Sequence, residues 1–316
     1  MGSLVVNALP LIGIVLVGLF LGKKKILDDS GIGALKALVM NIGLPGVFFA
    51  AFVSAELDLR YLVLFASVFV FCFVLYGAGA LLFRWGVFKR PLAPFAMTGF
   101  EFGMVGIALF ASFFGPENLP VVALIGLGHE FFIWFVYAPL LGYKVRGERP
   151  RVLSVAAGFF KSPIILAILS ALVLNITGLH ERWSTGGELA FLYESVLATA
   201  RLCGNVLVPL ILLVIGYNLR IDRTAARGAF RYILIRLALI GIIGTGLYYF
   251  VLRPLIALPP LFGWAWFTFL LLPPPYILPV FIPQDEESLG FFNGVIVIYT
   301  LISFVVFLGA LVVAGL

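Results

Sequence analysis

Asn41-Ile42-Gly43-Leu44-Pro45 and Asn205-Val206-Leu207-Val208-Pro209 lie about half a chain length apart, each inside a long apolar run. A proline lacks the N–H that would serve the carbonyl four residues earlier, here the carbonyl of each Asn. Each motif therefore marks a helix with a local defect and a polar side chain one turn before it. The same Asn-x-x-x-Pro in the second apolar run of each half reads as an internal repeat. The fourth run of each half supports it, being interrupted by Gly or Pro and followed by a loop that begins Pro116-Glu117 in one half and Pro283-Gln284-Asp285 in the other.

The runs around these motifs set the environment. Of 316 residues, 63% are hydrophobic and 11% charged, with mean hydropathy +1.16. Soluble domains carry roughly 25% charged residues. A bilayer core about 30 Å thick takes about 20 apolar residues per helix. Runs of that kind are drawn at 4–21, 32–54, 61–82, 92–114, 121–141, 155–176, 189–219, 232–252, 264–282 and 289–316. The seventh is too long for one straight span, so its first turns are expected along the interface or the helix strongly tilted. The expectation is an all-α integral membrane protein of ten transmembrane helices. An odd number of spans per half turns the second copy upside down, giving two inverted five-helix repeats, 1–141 and 153–316, joined by a cytoplasmic linker at 142–152.

The charge of +6 is dispersed in short clusters between spans and forms no single basic face, which argues against nucleic acid as a partner. Lys23, Lys24, Lys25, Arg84, Lys89, Arg90, Lys144, Arg146, Arg149, Arg151, Arg220, Arg223, Arg227 and Arg231 fall in one set of alternate loops, and Arg60, Arg182 and Arg253 in the other. By the positive-inside rule the first set is cytoplasmic and both termini lie outside, in a plasma or inner membrane. The acidic run Asp285-Glu286-Glu287 sits on the cytoplasmic side, where acidic residues weigh little in this rule. No cleavable signal or myristoylation motif is read at the start, and Cys72 and Cys203, inside apolar runs, read as packed hydrophobes.

The interruptions carry the functional expectation. Gly99, Gly103 and Gly106 surround Glu101 in span 4, and Pro273-Pro274-Pro275 with Pro279 break span 9. Non-helical backbone inside a membrane is tolerated where protein or a water-filled cavity covers it. Two such helices crossing at mid-depth aim free backbone groups at one point, a place for an ion or polar solute. The candidate substrate-binding residues are Glu101, Gly103, Gly106, Asn41, Asn205, Pro273, Pro274 and Pro275. Glu101, His129 and Glu130 are candidates for proton or ion coupling, with H+ or Na+ as the coupling ion, because an ionisable side chain within a span needs a reason. Glu194 and Arg201 share a face of span 7 and are expected at the interface or paired with neighbours. Arg236, read as one turn inside span 8, is expected to snorkel to the cytoplasm. Zinc, Walker and nucleophile-elbow motifs are not found, so neither an enzyme nor a metal site is expected.

Asn41 to Phe49 with Pro45, Phe102-Gly103-Met104-Val105-Gly106 followed by Phe114-Gly115, Ser162-Pro163-Ile164-Ile165, Pro209-Leu210-Ile211-Leu212 running into Ile215-Gly216, and Pro273 to Pro275 with Asp285 and Tyr299-Thr300-Leu301-Ile302-Ser303 occur in that order. In this order they resemble the auxin efflux carrier family of membrane transporters, whose wider relatives include the bile acid:sodium symporters. The resemblance implies a scaffold of helices 1, 2, 6 and 7 and a moving transport domain of helices 3–5 and 8–10. It also implies helices 4 and 9 crossing at the substrate site, export of a carboxylate-bearing small molecule, and a homodimer through the scaffold. Two positions depart from the family: Glu101 stands where Asn is usual before the first Gly of the Gly-x-x-Gly motif, and Ala108 where Pro is usual. The leading expectation is a secondary transporter of a small organic anion or amphipathic carboxylate, working by alternating access and driven by protons or the membrane potential. The alternatives are a sodium-coupled symporter or exchanger, and a non-transporting membrane receptor or scaffold.

Overall fold

The computed structural model describes residues 2–55, 58, 60–147, 157–185, 188–218, 223–282 and 287–315. The loop at 283–285 and the basic residues Arg149, Arg151 and Arg220 lie outside the described residues. Among those described, every regular element is helical. Seven helices are long and apolar enough to cross a membrane, so the chain is a membrane-embedded helical protein. They are α2 (Asp29–Val53), α3 (Tyr61–Arg84), the interrupted α4 (Ala93–Phe114), α5 (Pro116–Arg146), α7 (Ala190–Asn218), α8 (Gly228–Leu255) and α10 (Ser288–Ala314). The apolar helices α1 (Gly2–Lys23), α6 (Pro163–Ile176) and α9 (Phe262–Leu271) occupy the remaining runs. The last of these stops short because Pro273, Pro274 and Pro275 cannot extend its hydrogen-bond ladder.

Prolines shape the long helices by one repeated device. Wide π turns at Val39–Gly43, Ile133–Tyr137 and Tyr248–Leu252 each lead into a proline two residues on, Pro45, Pro139 and Pro254. In each case the N–H of the residue before the proline reaches five residues back, Leu44 to Val39, Ala138 to Ile133 and Arg253 to Tyr248. Widening that turn moves the carbonyl four residues before the proline away from its ring, so the chain stays helical instead of breaking. Pro209 has the other outcome. The seventh run is not one continuous helix; it is broken at Val206, between Glu188–Asn205 and Leu207–Asn218.

The chain forms two compact units, each drawing on both halves of the sequence: 1–57, 107–123 and 157–219 in one, 58–106, 124–156 and 220–316 in the other. In the first, α1 packs along the second part of α7, and α6 along the second part of α2. Gly18 and Gly216 make the first of these contacts backbone to backbone: a Cβ on Gly18 would collide with the Leu213 carbonyl, and one on Gly216 with that of Val15. Small residues allow such close approach where no water drives helices together. Asn175 closes the second contact, its Nδ2 lying 2.8–3.1 Å from the carbonyls of Phe52, Val53 and Ala55 at the end of α2. Those carbonyls have no donor within their own helix.

In the second unit α3 packs on the first part of α4 and α8 on α10. Phe71, Phe100, Trp266 and Phe269 form a contiguous aromatic core, ring centroids 4.3–6.0 Å apart. Trp266 Nε1 also donates to the Gly244 carbonyl at 3.1 Å. Outside the spans, Arg60 donates to Asp58 at 2.7 Å, and that bond lowers the Asp58 carboxyl below its usual range.

Candidate functional site

Helix α4 stops being helical at Thr98. Ala93–Met97 ends there, residues 98–101 run irregularly, and a π turn at Phe102–Gly106 restarts the helix into Ile107–Phe114. Gly99 makes the reversal with φ +68°. Helix α9 is interrupted from Leu272 to Tyr276 and resumes as Ile277–Phe281. The two interruptions meet. The Glu101 N–H donates to the Pro273 carbonyl at 2.9 Å, and the Tyr276 N–H donates to Glu101 Oε2 at 2.7 Å. The Met104 N–H lies 3.4 Å from Glu101 Oε1, and Gly106 donates to the Glu101 carbonyl at 3.1 Å. Glu101 thus meets backbone donors that a broken helix leaves unserved.

The space at this crossing is tight for a reason visible in its glycines. A Cβ on Gly99 would lie 2.6 Å from Pro275 Cγ, and one on Gly106 2.9 Å from Leu272 Cδ1. Pro273, Pro274 and Pro275 are all buried, and Gly103 is half-buried within the π turn. The structure therefore brings Glu101, Gly103, Gly106 and the three prolines into one place. His129 joins them from α5: its Nε2 accepts the Phe100 N–H at 2.9 Å. With Nε2 an acceptor, the neutral ring carries its proton on Nδ1, which faces Glu130 Oε1 at 3.4 Å.

Arg236 corrects the sequence reading. It does not snorkel: the helix of α8 extends back beyond Gly228 to Arg223, so Arg236 lies about three and a half turns from the helix start instead of one. Its side chain is fully buried. The guanidinium donates at 2.7 Å to the carbonyls of Ala96 and Gly99 and reaches that of Leu272 at 3.4 Å. It also lies over the rings of Phe100 and Tyr299, 5.1 and 5.4 Å from their centroids. A cation thus rests on the carbonyl ends of both broken helices and an acid on their N–H side, the charge order that helix dipoles favour. From α10, Ser303 Oγ donates to the Leu271 carbonyl at 2.5 Å, and Thr300 Oγ1 lies 3.3 Å from the Tyr276 hydroxyl.

Asn41 and Asn205 belong to the first unit, where α2 crosses α7. Asn41 Nδ2 donates to the Ala37 carbonyl one turn back, at 2.8 Å. Asn205, at the break of α7, lines a cavity of about 590 Å³ with Val47, Ala51, Ser54, Glu117 and Arg201. That crossing is close: a Cβ on Gly46 would lie 2.9 Å from the Ala200 carbonyl oxygen, and one on Gly204 2.6 Å from Val47 Cγ2. Arg201, expected at the interface or in a pair, is exposed on the wall of this cavity. Among the described residues no cluster of side chains suited to a metal ion is present. Comparison with protein-family models and with curated proteins finds no match for this chain.

Proposed function

We propose that this protein is a secondary active transporter of a small organic anion or amphipathic carboxylate, a carrier and not an enzyme. In this reading it has ten spans in two inverted repeats, works as an alternating-access exporter of elevator type, and is driven by protons or the membrane potential. The observation that carries the reading is the meeting of two interrupted membrane helices, one from each half of the sequence, through Glu101, Pro273 and Tyr276. Irregular backbone at that depth is costly, and in secondary transporters it forms the binding site.

The packing of the first unit supports the repeat. If α1 corresponds to α6 and α2 to α7, a two-fold axis exchanges the contact of α1 with the second part of α7 for that of α6 with the second part of α2, and both contacts are present. In this proposal α1, α2, α6 and α7 form a scaffold; they fall together in the first unit, which also takes in residues 107–123 of α4 and α5, and a homodimer through the scaffold belongs to the same proposal, as does a place near the auxin efflux carriers. The substrate class is supported by the cavity beside Asn205, whose lining is mostly apolar and carries one cation, Arg201, and one carboxylate, Glu117, a pairing that suits a small amphipathic solute with a charged group. Its size falls within the roughly 300–1,000 Å³ usual for small-ligand pockets.

Purified protein in proteoliposomes, given radiolabelled aromatic and aliphatic carboxylates under imposed pH, sodium and potential gradients, tests the proposal. Flux of at least one carboxylate that depends on the pH or potential gradient, and is reduced in Arg201→Gln, is expected. Absence of flux under every gradient would leave the receptor reading standing instead. Strict dependence on sodium would favour the symporter.

A further inference from the structure

Arg236 stands on the carbonyl oxygens of Ala96, Gly99 and Leu272, contributed by the two interrupted helices, with its charge fully buried. Converging backbone carbonyls are the ligands that hard monovalent cations take inside membrane proteins. A guanidinium is always charged and presents a planar fork of donors. We propose that these three carbonyls form a cation seat which the chain fills with its own side chain, so that Arg236 replaces a mobile coupling ion at the crossing.

Three features support a built seat over an accident of packing. The guanidinium lies over the rings of both Phe100 and Tyr299, contacts that favour a desolvated cation. Its acceptors are the carbonyl of Ala96, in the last turn of Ala93–Met97, and those of Gly99 and Leu272 in the irregular segments, positions that no helical ladder serves. The neighbouring carbonyl of Leu271 lies instead within hydrogen-bond distance of Ser303 Oγ, so a hydroxyl and a cation face adjacent acceptors. A cation that cannot leave holds the two interruptions in register whether or not sodium or potassium is present. The crossing is then independent of these ions, and the driving force comes from protons or the membrane potential. That last consequence rests on the transporter reading; the seat itself does not.

The test compares full-length wild type with Arg236→Ala, Arg236→Met and Arg236→Lys by thermal unfolding in lipid nanodiscs. The salts are choline, sodium, potassium and methylguanidinium chloride at equal millimolar concentrations, far below those at which guanidinium salts unfold proteins. Wild type is expected to melt at one temperature in all four. Arg236→Ala should melt lower in choline and recover with methylguanidinium, the shift growing with the logarithm of its concentration, as for a ligand bound only by the folded state. Arg236→Met, similar in length but neutral, should melt below Arg236→Lys.

Stabilisation of wild type by sodium or potassium over choline would overturn the proposal. An Ala variant no more responsive to methylguanidinium than to choline, or a Met variant as stable as wild type, would overturn it too. If neither neutral variant folds, the folded yield of Arg236→Lys decides: within severalfold of wild type is expected, and a loss equal to that of the neutral variants refutes the seat. None of these measurements requires flux. Absent flux would sink the transporter reading alone, whereas sodium-dependent flux would sink the coupling consequence.

Discussion

Gly99→Ala perturbs the crossing at a position where the cost separates into two parts. The first is conformational: Gly99 has φ +68°, and a left-handed conformation costs a residue bearing Cβ roughly 1–2 kcal/mol. The second is contact. The new Cβ would lie 2.6 Å from Pro275 Cγ, 3.1 Å from Ile133 Cδ1 and 3.2 Å from Pro275 Cδ. A proline ring that closes a run of three prolines cannot rotate aside, so overpacking of about 1–3 kcal/mol is added. Gly86 supplies the control, with φ +74° and nothing within 4 Å of the place a methyl group would take; Gly86→Ala should show the first part alone. The total for Gly99→Ala is then about 2–5 kcal/mol and the difference between the two variants about 1–3 kcal/mol. Because the Gly99 carbonyl is also held by Arg236 at 2.7 Å, the displacement disturbs the cation and, two residues on, Glu101. Flux should therefore fall in Gly99→Ala and persist in Gly86→Ala. Equilibrium unfolding in mixed detergent and SDS micelles, followed by tryptophan fluorescence, measures the energies. Equal destabilisation of the two variants, within about 0.5 kcal/mol, would refute the seating of Pro275 on Gly99.

Two further outcomes are expected. Gly18→Val should destabilise the protein by at least about 1–3 kcal/mol, because its side chain would meet the backbone of α7, whereas Gly13→Val, with nothing within 4 Å, should cost less than about 0.5 kcal/mol; similar unfolding of both would contradict the α1–α7 packing. In a background free of Cys72 and Cys203, a cysteine at Arg146, at the end of α5, should react with an impermeant maleimide only after permeabilisation of the cells, and labelling of intact cells would reverse the proposed orientation.

Local chemistry made part of this protein legible in its sequence. The apolar runs announce membrane helices because a bilayer accepts little else, and Gly99 to Gly106 and Pro273 to Pro275 announce the interruptions of α4 and α9 because a missing N–H or side chain acts where it stands. The same reasoning applied to Pro139 and Pro254 would have marked local disturbances in α5 and α8, though not their form. Tertiary structure alone decided which of these local defects meet. That the Glu101 N–H finds the Pro273 carbonyl, or His129 the Phe100 N–H, is a pairing across chain distances that no spacing encodes. The outcome for Pro209, a break at Val206 where Pro45, Pro139 and Pro254 leave widened turns, also depends on what packs beside each helix. Arg236 shows the limit most plainly. Its charge was conspicuous in an apolar run, but its depth depends on where α8 begins and its partners on two other helices. A buried cation is stable only where acceptors or an opposite charge meet it; here they are backbone carbonyls, and their convergence exists only in the folded chain.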